Sequence, residues 1–551
     1  MGFVIRKSLP SLSGLIGLLL AVGVLAVYFL DAPIWFPAIL AIVIIGIQYL
    51  VNPYIIQWLV PATIIARTPD GYDTGDHPLG EIVVRRCRAA GVPLVKLGIV
   101  DDGNPNAFTF GRTPRDARMW VTRGLLERLD ERELDAVITH EVGHIKHWDF
   151  AVMTVAAVIP MVLFYVYLVA RSTNRNEGQL VAVAAFVAYL VSQFTLLALS
   201  RARETAADHW SCENTGDGDA LASALVKIAY GMGQAQGAYK EQVAALVGQG
   251  KEGKAQAKKL ENSMHRAQSM RAMGIFEPKS AEAMQAAFAG GIDPDRALGA
   301  LRWDIANPWG RTLEKLSSHP LVARRIQALE QSGLPGAPRQ WSVMRAMAST
   351  PPEQVAAARA GFAKDLFIAL APWVVLIALV VFGVFTGSML SVGVALVVAG
   401  ALLWLKQNVR YPGSFRPVDE VASLLERLDA GPVGGIPVEL RGQIIGRGMP
   451  GYVLSPDLVL QDASGFVPLL YKNPIPFATA WFGLFRAHAF LGQEVVARGW
   501  YHRLPGPAVE LRAVETADGR KARGIEWISR YVASALVFAA GLVVMLVGLT
   551  G

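Results

Sequence analysis

The chain has 551 residues, of which 53% are hydrophobic and 18% charged, and its formal net charge is +7 at pH 7. So large an apolar fraction excludes an ordinary soluble enzyme and predicts several membrane spans. The two cysteines, Cys87 and Cys212, exclude a disulfide framework, and the basic excess is typical of the cytoplasmic faces of membrane proteins, so no nucleic-acid partner is expected.

Two apolar runs open the chain. Residues 14–30 follow Arg6 and Lys7, and residues 35–51 come almost directly afterwards. A cleaved signal peptide is the alternative interpretation of the first run, but no convincing cleavage site follows it. We therefore predict a hairpin of two spans with a cytoplasmic N-terminus.

A first soluble portion follows the hairpin. It is predicted to contain a helix at 81–90 and strands at 94–100, 106–111 and 119–122. We hypothesise that one strand exposes a sheet edge that binds an extended substrate chain. The residues concerned are Asn106, Ala107, Phe108 and Thr109. An ordinary structural strand is the alternative.

The motif around which the chain is organised is His140-Glu141-Val142-Gly143-His144. It ends a run predicted to be helical, with Asp130 as the N-cap and Glu133 completing a capping box. Helical residues four apart differ by about 40° in rotation and roughly 6 Å along the axis, so both imidazoles can converge on one cation. Glu141 is then close enough to polarise a water on that cation.

A third ligand is expected from a separate helix. The run Ser-Arg-Ala-Arg-Glu-Thr-Ala-Ala-Asp at 200–208 offers Glu204, and Asp208 on the same face can accept the outer N–H of a ligand imidazole. A metzincin site is excluded, because it would need a histidine where Phe150 stands. The prediction is one Zn²⁺ per chain, held by His140, His144 and Glu204, with the fourth position left to water.

Two further spans are predicted at 151–170 and 179–199, directly between the two ligand helices. The metal should therefore lie close to the cytoplasmic surface of the bilayer. The connecting loop carries Arg171 and Arg175, which goes slightly against an external placement of that loop. His147 is seven residues from His140 and is open to two interpretations, support of the site or an ordinary helix-surface histidine.

The pattern from 217 to 329 is helical. Residues 251–271 contain six basic and two acidic residues, and we favour a solvated amphipathic helix there over a lipid-touching or substrate-gripping lid. Further along, His319 is a candidate site residue, with a helix cap beginning at Ser317 or Ser318 as the alternative.

The remaining chain has a third hairpin, with apolar runs at 366–385 and 390–404, and a final span at 530–549. Between them lie strand-like runs at 438–445, 452–460, 492–498 and 508–514 that suggest a small β-barrel or sandwich. We interpret the lone histidines there, His488 and His502, as structural.

Several of these motifs resemble the HtpX family of membrane zinc proteases, whose relatives are the CAAX prenyl proteases. The resemblance rests on the pentapeptide with its continuation at 145–149, the run at 200–208, the Asn-Ala-Phe-Thr-Phe-Gly strand at 106–111, and His319-Pro320 followed by Arg325. It covers roughly residues 1–330. It implies that His319 acts in the transition state and that Arg325 braces Glu204.

The predicted fold is mainly α: a polytopic membrane protein of about seven transmembrane helices with a cytoplasmic α+β zincin-type catalytic domain and a small C-terminal β-rich domain. The predicted segments are three transmembrane hairpins at 1–66, 151–199 and 366–405, a catalytic domain in two parts at 67–150 and 200–335, a linker at 336–365, a β-rich domain at 406–528, and a last span at 529–551.

The expected function is a zinc metalloendopeptidase that cleaves membrane proteins, or their membrane-proximal segments, at the cytoplasmic face of a prokaryotic membrane. Quality control of membrane proteins is the role that the resemblance implies, with polypeptide substrates and the lipid bilayer as partners. A CAAX-type prenyl-protein protease is disfavoured, because only two spans precede the zinc motif here. A non-catalytic, zinc-stabilised membrane scaffold is disfavoured, because a structural site would not need Glu141.

Overall fold

In the computed structural model, residues 35–75, 77–172, 176–228, 294–447, 455–503 and 506–550 are described. They fall into two units. Of the described residues, the first unit comprises those from 35 to 228 and from 312 to 344, and the second comprises those from 294 to 311 and from 345 to 550. The predicted span at 14–30 and the basic segment 251–271 lie outside the described residues, as does part of the strand predicted at 452–460.

The longer described helices are, in chain order, α1 Phe36–Leu59, α2 Leu79–Ala90, α3 Arg123–Arg128, α4 Glu131–Lys146, α5 Asp149–Arg171, α6 Asn176–Thr215, α7 Pro294–Ala306, α8 Pro308–Lys315, α9 Val322–Gln331, α10 Val343–Ala348, α11 Pro352–Thr386, α12 Met389–Arg410, α13 Val421–Leu425, α14 Pro476–Trp481 and α15 Glu526–Thr550. The strands are β1 Thr63–Ile64, β2 Lys96–Val100, β3 Ala107–Phe110, β4 Arg118–Thr122, β5 Arg416–Pro417, β6 Ile436–Arg447, β7 Leu458–Gln461, β8 Phe466–Leu470, β9 Glu494–Arg503, β10 Pro507–Thr516 and β11 Lys521–Arg523.

Five of the described helices are long and apolar enough to cross a membrane by length and composition: α5, α6, α11, α12 and α15. Their side chains are mostly exposed to the surroundings of the protein, as expected of lipid-facing surfaces. Helix α1 covers the span predicted at 35–51 and continues to Leu59. The protein is therefore a membrane protein with most of its apolar helices where the sequence predicts them.

The first unit contains a four-stranded sheet in the order β1-β2-β4-β3. The central pair, β2 and β4, is parallel, and β3 runs antiparallel to β4 at one edge. Leu97 and Trp120 are fully buried in this sheet, which is why both central strands are nearly continuous apolar runs. Strand β3 packs against α4, so the sheet supports the helix that carries the pentapeptide.

Helix α4 begins as predicted. The Asp130 side chain accepts from the backbone N–H of Glu133 at 2.9 Å, and the Glu133 carboxylate accepts from the backbone N–H of Asp130 at 3.0 Å. This capping box satisfies two backbone donors at the helix start. Ser223 and Lys227 also donate to Glu133, which fixes the start of α4 against the segment after α6.

The junction between α4 and α5 departs from the prediction of a helix running straight into a span. Helix α4 ends at Lys146 and α5 begins at Asp149. Between them Trp148 takes a left-handed conformation with φ of 57°, which breaks the helical hydrogen-bond pattern. The two helices are thus separate rods joined by a two-residue turn.

In the second unit, strands between Arg416 and Arg523 form a seven-stranded sheet. Strand β9 pairs with both β6 and β10, while β6, β7, β8 and β10 pair in succession. These pairings close a ring of five strands, which is a small barrel. Its interior is apolar, with fully buried residues such as Leu440, Val467 and Leu511.

Helices α12 and α15 of the same unit pack backbone to backbone. A β-carbon on Gly400 would lie 2.6 Å from the backbone nitrogen of Phe538, and one on Gly541 would lie 2.5 Å from that of Val397. Small residues permit this close approach between membrane helices, where hydrophobic burial supplies little driving force.

Candidate active site

Three polar side chains from two helices converge in the first unit. Nε2 of His140 and Nε2 of His144, both on α4, lie 3.1 Å apart. Oxygens of Glu204, on α6, lie 3.6 Å from each of these nitrogens. All three residues are buried. The structure therefore brings together the three side chains that the sequence singled out as metal ligands.

The outer nitrogens of both imidazoles face carboxylates. Nδ1 of His140 lies 2.9 Å from Oδ1 of Asp208, and Nδ1 of His144 lies 2.5 Å from Oδ2 of Asp149. An arginine holds each carboxylate in turn: Nε of Arg325 donates to Asp208 at 2.7 Å, and Nε of Arg203 lies 2.9 Å from Asp149. A carboxylate beside each Nδ1 favours the tautomer that carries its proton there, which leaves each Nε2 available as a metal ligand.

This arrangement fits a divalent cation. Two imidazole nitrogens and a carboxylate that face one another at 3.1 to 3.6 Å need positive charge between them, and a divalent cation would supply it. Oε2 of Glu204 is buried and has no hydrogen-bond partner among the described residues. Zinc bonds of about 2.0–2.1 Å in a tetrahedral site would put neighbouring ligand atoms about 3.3–3.4 Å apart, close to the observed triangle.

Electrostatics in the site points the same way. Burial would lower the pKa of His140, but the carboxylates of Asp208 and Glu204 outweigh burial and raise this pKa to about 9. Negative charge is thus in excess around the imidazoles, and a bound cation would neutralise it.

Glu141 is buried beside this triangle. One of its carboxylate oxygens lies within 4.8 Å of a ring nitrogen of each histidine, so it could be counted as a ligand itself. Glu204 lies closer to both imidazoles, at 3.6 Å. The shorter contacts favour Glu204 as the ligand and leave the Glu141 carboxylate available for proton transfer.

His319 and Arg325 lie on the other side of Glu204. Nε2 of His319 is 3.5 Å from Oε1 of Glu204, and its Nδ1 contacts Oγ of Ser318 at 3.0 Å. Arg325 was expected to pair with Glu204, but it binds Asp208 through two nitrogens and stays 4.0 Å from Glu204. Arg325 thus acts on the metal site mainly through the aspartate behind His140.

The remaining candidates lie around this centre. His147 is exposed, and its ring packs edge-on against Trp210 at 5.9 Å, so it belongs to the helix surface. Strand β3 is an edge strand with β4 as its hydrogen-bonded partner. The side chains of Ala107 and Phe108 are buried, and Thr109 is partly exposed.

Asn106 is engaged within the protein. Its backbone N–H donates to the Thr122 hydroxyl at 2.8 Å and its carbonyl accepts from the Thr122 N–H at 2.9 Å. Because these backbone groups of Asn106 are already hydrogen-bonded within the protein, an added peptide strand would have to pair with the edge of β3 instead.

Asp149 and Arg203 are site residues that sequence reasoning missed. Asp149 stands in the quoted continuation of the pentapeptide, and Arg203 stands directly before Glu204. In an unbroken helix, Asp149 would lie about 140° around the axis from His144. The turn at Trp148 brings Asp149 back to the imidazole of His144, and the periodicity of the sequence does not predict that turn.

Residues 76–332 match the model of peptidase family M48. The protease HtpX homolog of Methanothermobacter thermautotrophicus is 38% identical over 219 residues, which are 39% of this chain and 81% of that protein. Protease HtpX homolog 2 of Methanosarcina acetivorans is 35% identical over 33% of this chain and 63% of its own length. The HtpX homolog of Moorella thermoacetica is 36% identical over 34% and 65%.

Among solved structures, the crystal structure of S. mikatae Ste24p aligns with 41% of this chain and 58% of its own, at 17% identity and a TM-score of 0.30, a likeness too remote to assign a fold. The residues that match the family model include the buried histidines and Glu204. The chain belongs to peptidase family M48, as an HtpX-like membrane metalloprotease.

Proposed function

We propose that the protein is a zinc-dependent endopeptidase with one Zn²⁺ per chain, held by His140, His144 and Glu204. The observation that carries this proposal is the convergence of two imidazole nitrogens and a carboxylate at 3.1 to 3.6 Å. Such a donor set, with three protein ligands and room for a fourth, is typical of catalytic zinc.

Glu141 is the proposed general base. When bound, zinc supplies a Lewis acid that acidifies water and polarises a carbonyl. The Glu141 carboxylate takes one proton from the attacking water as its oxygen bonds to the scissile carbon. The same carboxyl then delivers that proton to the amide nitrogen as the C–N bond breaks, which gives an amine and a carboxylic acid, and the acid loses its remaining proton to the amine or to solvent.

His319 is the proposed donor to the tetrahedral oxyanion. Its buried ring lies beside Glu204, and the contact between Nδ1 and Ser318 fixes the ring's orientation. An N–H directed at the developing charge stabilises the transition state more than the substrate. The Asp208–Arg325 and Asp149–Arg203 pairs would hold the two ligand imidazoles in position.

The proposed substrates are membrane proteins and the segments next to their spans. Two residues separate α4 from the candidate span α5, and Glu204 lies in the same helix as the candidate span of α6. Both ligand helices are therefore joined to apolar spans, which supports a site close to a membrane surface. The edge of β3 is the proposed binding line for an extended peptide.

The cytoplasmic side is the proposed location. Basic residues lie at the ends of the two spans that are next to the proposed metal site: Lys146 at the end of α4, and Arg201 and Arg203 near Glu204. The positive-inside rule associates such residues with a cytoplasmic face. Quality control of membrane proteins is the role proposed from the resemblance to HtpX.

Glu141→Gln tests the mechanism. The variant should bind zinc as the parent does, measured by metal analysis after dialysis, and should lose peptide cleavage by at least about 100-fold, because the amide cannot accept the proton. The matched control is Glu204→Ala, which should lose both metal and activity. Turnover by Glu141→Gln at the parental rate would refute the mechanism, and cleavage restricted to farnesylated peptides would favour a prenyl-protein protease instead.

A further inference from the structure

An aromatic face is exposed on the barrel of the second unit. Helix α14 continues into a π-helical turn at Phe482–Arg486. Phe477, Trp481 and Phe485 follow one another at intervals of four residues and are 73%, 49% and 63% exposed. Neighbouring ring centroids lie 6.1 and 4.4 Å apart, so the three rings form one continuous surface, the aromatic face. Exposed apolar surface of this kind marks an interaction site.

The aromatic face is held rigidly. On the opposite side of the same segment, Phe482 is buried and stacks on Tyr471 with centroids 3.9 Å apart. Arg447 of β6 donates to the carbonyl of Gly483, and the Thr479 hydroxyl donates to the carbonyl of Asn473 at 3.3 Å. The exposed rings therefore belong to a structured element whose other side is part of the barrel core.

The segment starts where a candidate membrane span starts. The carbonyl of Lys472 accepts from the backbone N–H groups of Ile525 and Glu526 at 3.2 and 3.3 Å. Glu526 is the first residue of α15. The chain leading into the aromatic face is thus fastened to the first turn of a helix apolar enough to cross the bilayer, which puts this end of the barrel at the membrane surface.

Other aromatic residues lie near the start of α15, at the same expected level of the membrane surface. Near the start of α15, Trp527 packs on Tyr531, whose ring contacts Trp404 of α12 with centroids 5.0 Å apart. The Tyr531 hydroxyl donates to Asn408 at 2.8 Å. Tryptophan and tyrosine concentrate at the headgroup level of membranes because one end of each ring is apolar and the other polar.

Basic side chains border the aromatic face. A cleft of about 800 Å³ has Phe477 and Trp481 in its lining together with three basic residues, Arg486, Lys521 and Arg523. Lys521 is paired with Glu515. Arg486 and Arg523 are exposed, and neither has a carboxylate within 4.0 Å among the residues that the structure describes. Two uncompensated cations beside exposed aromatic rings fit an anionic headgroup above an apolar layer.

We propose that the aromatic face inserts into the bilayer next to α15 and that Arg486 and Arg523 bind the headgroup of an anionic lipid in the adjoining cleft. The barrel is then fastened to the membrane surface by a second attachment besides its flanking spans. This attachment is independent of the metal site, and proteolytic activity is not needed to observe it.

Spin labels on the full-length protein in vesicles test insertion. Labels are attached to Phe477→Cys and, separately, to Phe485→Cys, and both native cysteines are buried, so they should react little. The matched control is Ala463→Cys, on the exposed turn between β7 and β8, at the far end of β8 from Lys472. Labels at 477 and 485 should be accessible to oxygen and protected from a water-soluble relaxant, and the label at 463 should show the reverse.

The lipid charge is tested with the same labels. Adding phosphatidylglycerol to phosphatidylcholine vesicles should increase the protection of the 477 label, and Arg486→Gln with Arg523→Gln should abolish that increase. Arg441→Gln, at an exposed arginine of β6, should not. Water-accessible labels at both positions would overturn the proposal, as would protection that appears only when the ratio of protein to lipid rises, which would assign the face to a second copy of the chain. Equal protection of the 477 label in both vesicle types would overturn the proposed binding of an anionic headgroup.

Discussion

At the scale of single residues, each zinc-binding imidazole in the proposed site depends on an ion pair behind it. His140 is supported by Asp208 with Arg325, and His144 by Asp149 with Arg203. A carboxylate that accepts the outer N–H of a ligand histidine fixes the tautomer and makes the inner nitrogen a better donor. The two pairs therefore decide how well the imidazoles can bind a metal.

Asp149→Asn is expected to weaken zinc binding by about 10- to 100-fold without removing a ligand, since the amide is a poorer acceptor for His144 and leaves Arg203 without its charged partner. Competition with a chelator measures the affinity. Glu213→Gln, at an exposed position on α6, is the control for loss of one negative charge. An unchanged zinc affinity in Asp149→Asn would mean that the ion pair is only structural.

His502 lies in the barrel, and burial together with the positive charge of Arg410 lowers its pKa to about 3. The unfolded chain, with a histidine pKa of about 6.5, therefore binds a proton between about pH 6.5 and pH 3 that the folded barrel does not. Neutral His502 therefore contributes its full share to the free energy of unfolding above about pH 6.5. This share is lost as pH falls towards about pH 3, by an amount of the order of a few kcal/mol.

His502→Gln should remove this pH dependence. The free energies of unfolding of the parent and of the variant are measured from pH 7 to pH 4 by denaturant titration. The parent's value minus the variant's value should decrease as pH falls. Glu510 and Asp457 titrate in the same barrel, but they do so in both proteins and largely cancel in the difference. A constant difference, or an equal effect of substituting the exposed His488, would contradict the assignment.

At the scale of elements, the distance between α4 and α6 decides whether Glu204 reaches the histidines. The two helices approach closely at Gly143, where a β-carbon would lie 3.0 Å from Cδ1 of Trp210 and 3.4 Å from Cα of Ala207. A side chain there must push the two helices apart or displace Trp210. Glycine inside the pentapeptide thus has a packing reason.

Gly143→Ala should lower zinc affinity, and Gly143→Val should lower it further, because the helix that carries Glu204 moves away from the imidazoles. The readout is chelator competition together with the melting temperature. Gly46→Ala in α1 is the matched control, since a β-carbon there meets no atom within 4 Å. If both Gly143 variants kept the parental affinity, the spacing of α4 and α6 would not limit metal binding.

The pair α12 and α15 makes a second prediction at this scale. Gly400→Leu should separate the helices and lower the unfolding temperature of the second unit by several degrees, because the new side chain meets the backbone of Phe538. Ala401→Leu, one residue further on and exposed, should have little effect. Equal stability of the two variants would refute backbone-to-backbone packing.

Features that are determined by neighbouring residues in the sequence could be predicted, and features that depend on tertiary packing could not. The capping box of Asp130 and Glu133 and the spacing of His140 and His144 are properties of one helix, and they follow from its geometry. Strand β8 was missed because Pro468 lies within it and removes a backbone donor, which usually argues against a strand. Arg325 was predicted beside Glu204, and it lies 4.0 Å from that carboxylate. Its closer partner is Asp208, and spacing could not distinguish the two because Asp208 and Glu204 are neighbours on one helix face.

At the scale of the whole molecule, the two units differ in what the sequence revealed. The first carries residue types that define a chemistry, so its site could be proposed before its fold was known. The aromatic face of the second has no such motif: Phe477, Trp481 and Phe485 become a surface only because Phe482 turns inward to Tyr471. Placement of this kind depends on tertiary packing, which periodicity alone does not reveal.

The order of the site residues along the chain has a consequence for biosynthesis. His140 and His144 leave the ribosome before α5, while Glu204 comes near the end of α6, and His319 and Arg325 come more than a hundred residues later. A nascent chain therefore carries an incomplete metal centre until Glu204 has been synthesised. On the proposed mechanism, we expect the chain to be unable to cleave its surroundings while its first two candidate spans after the histidines are being made.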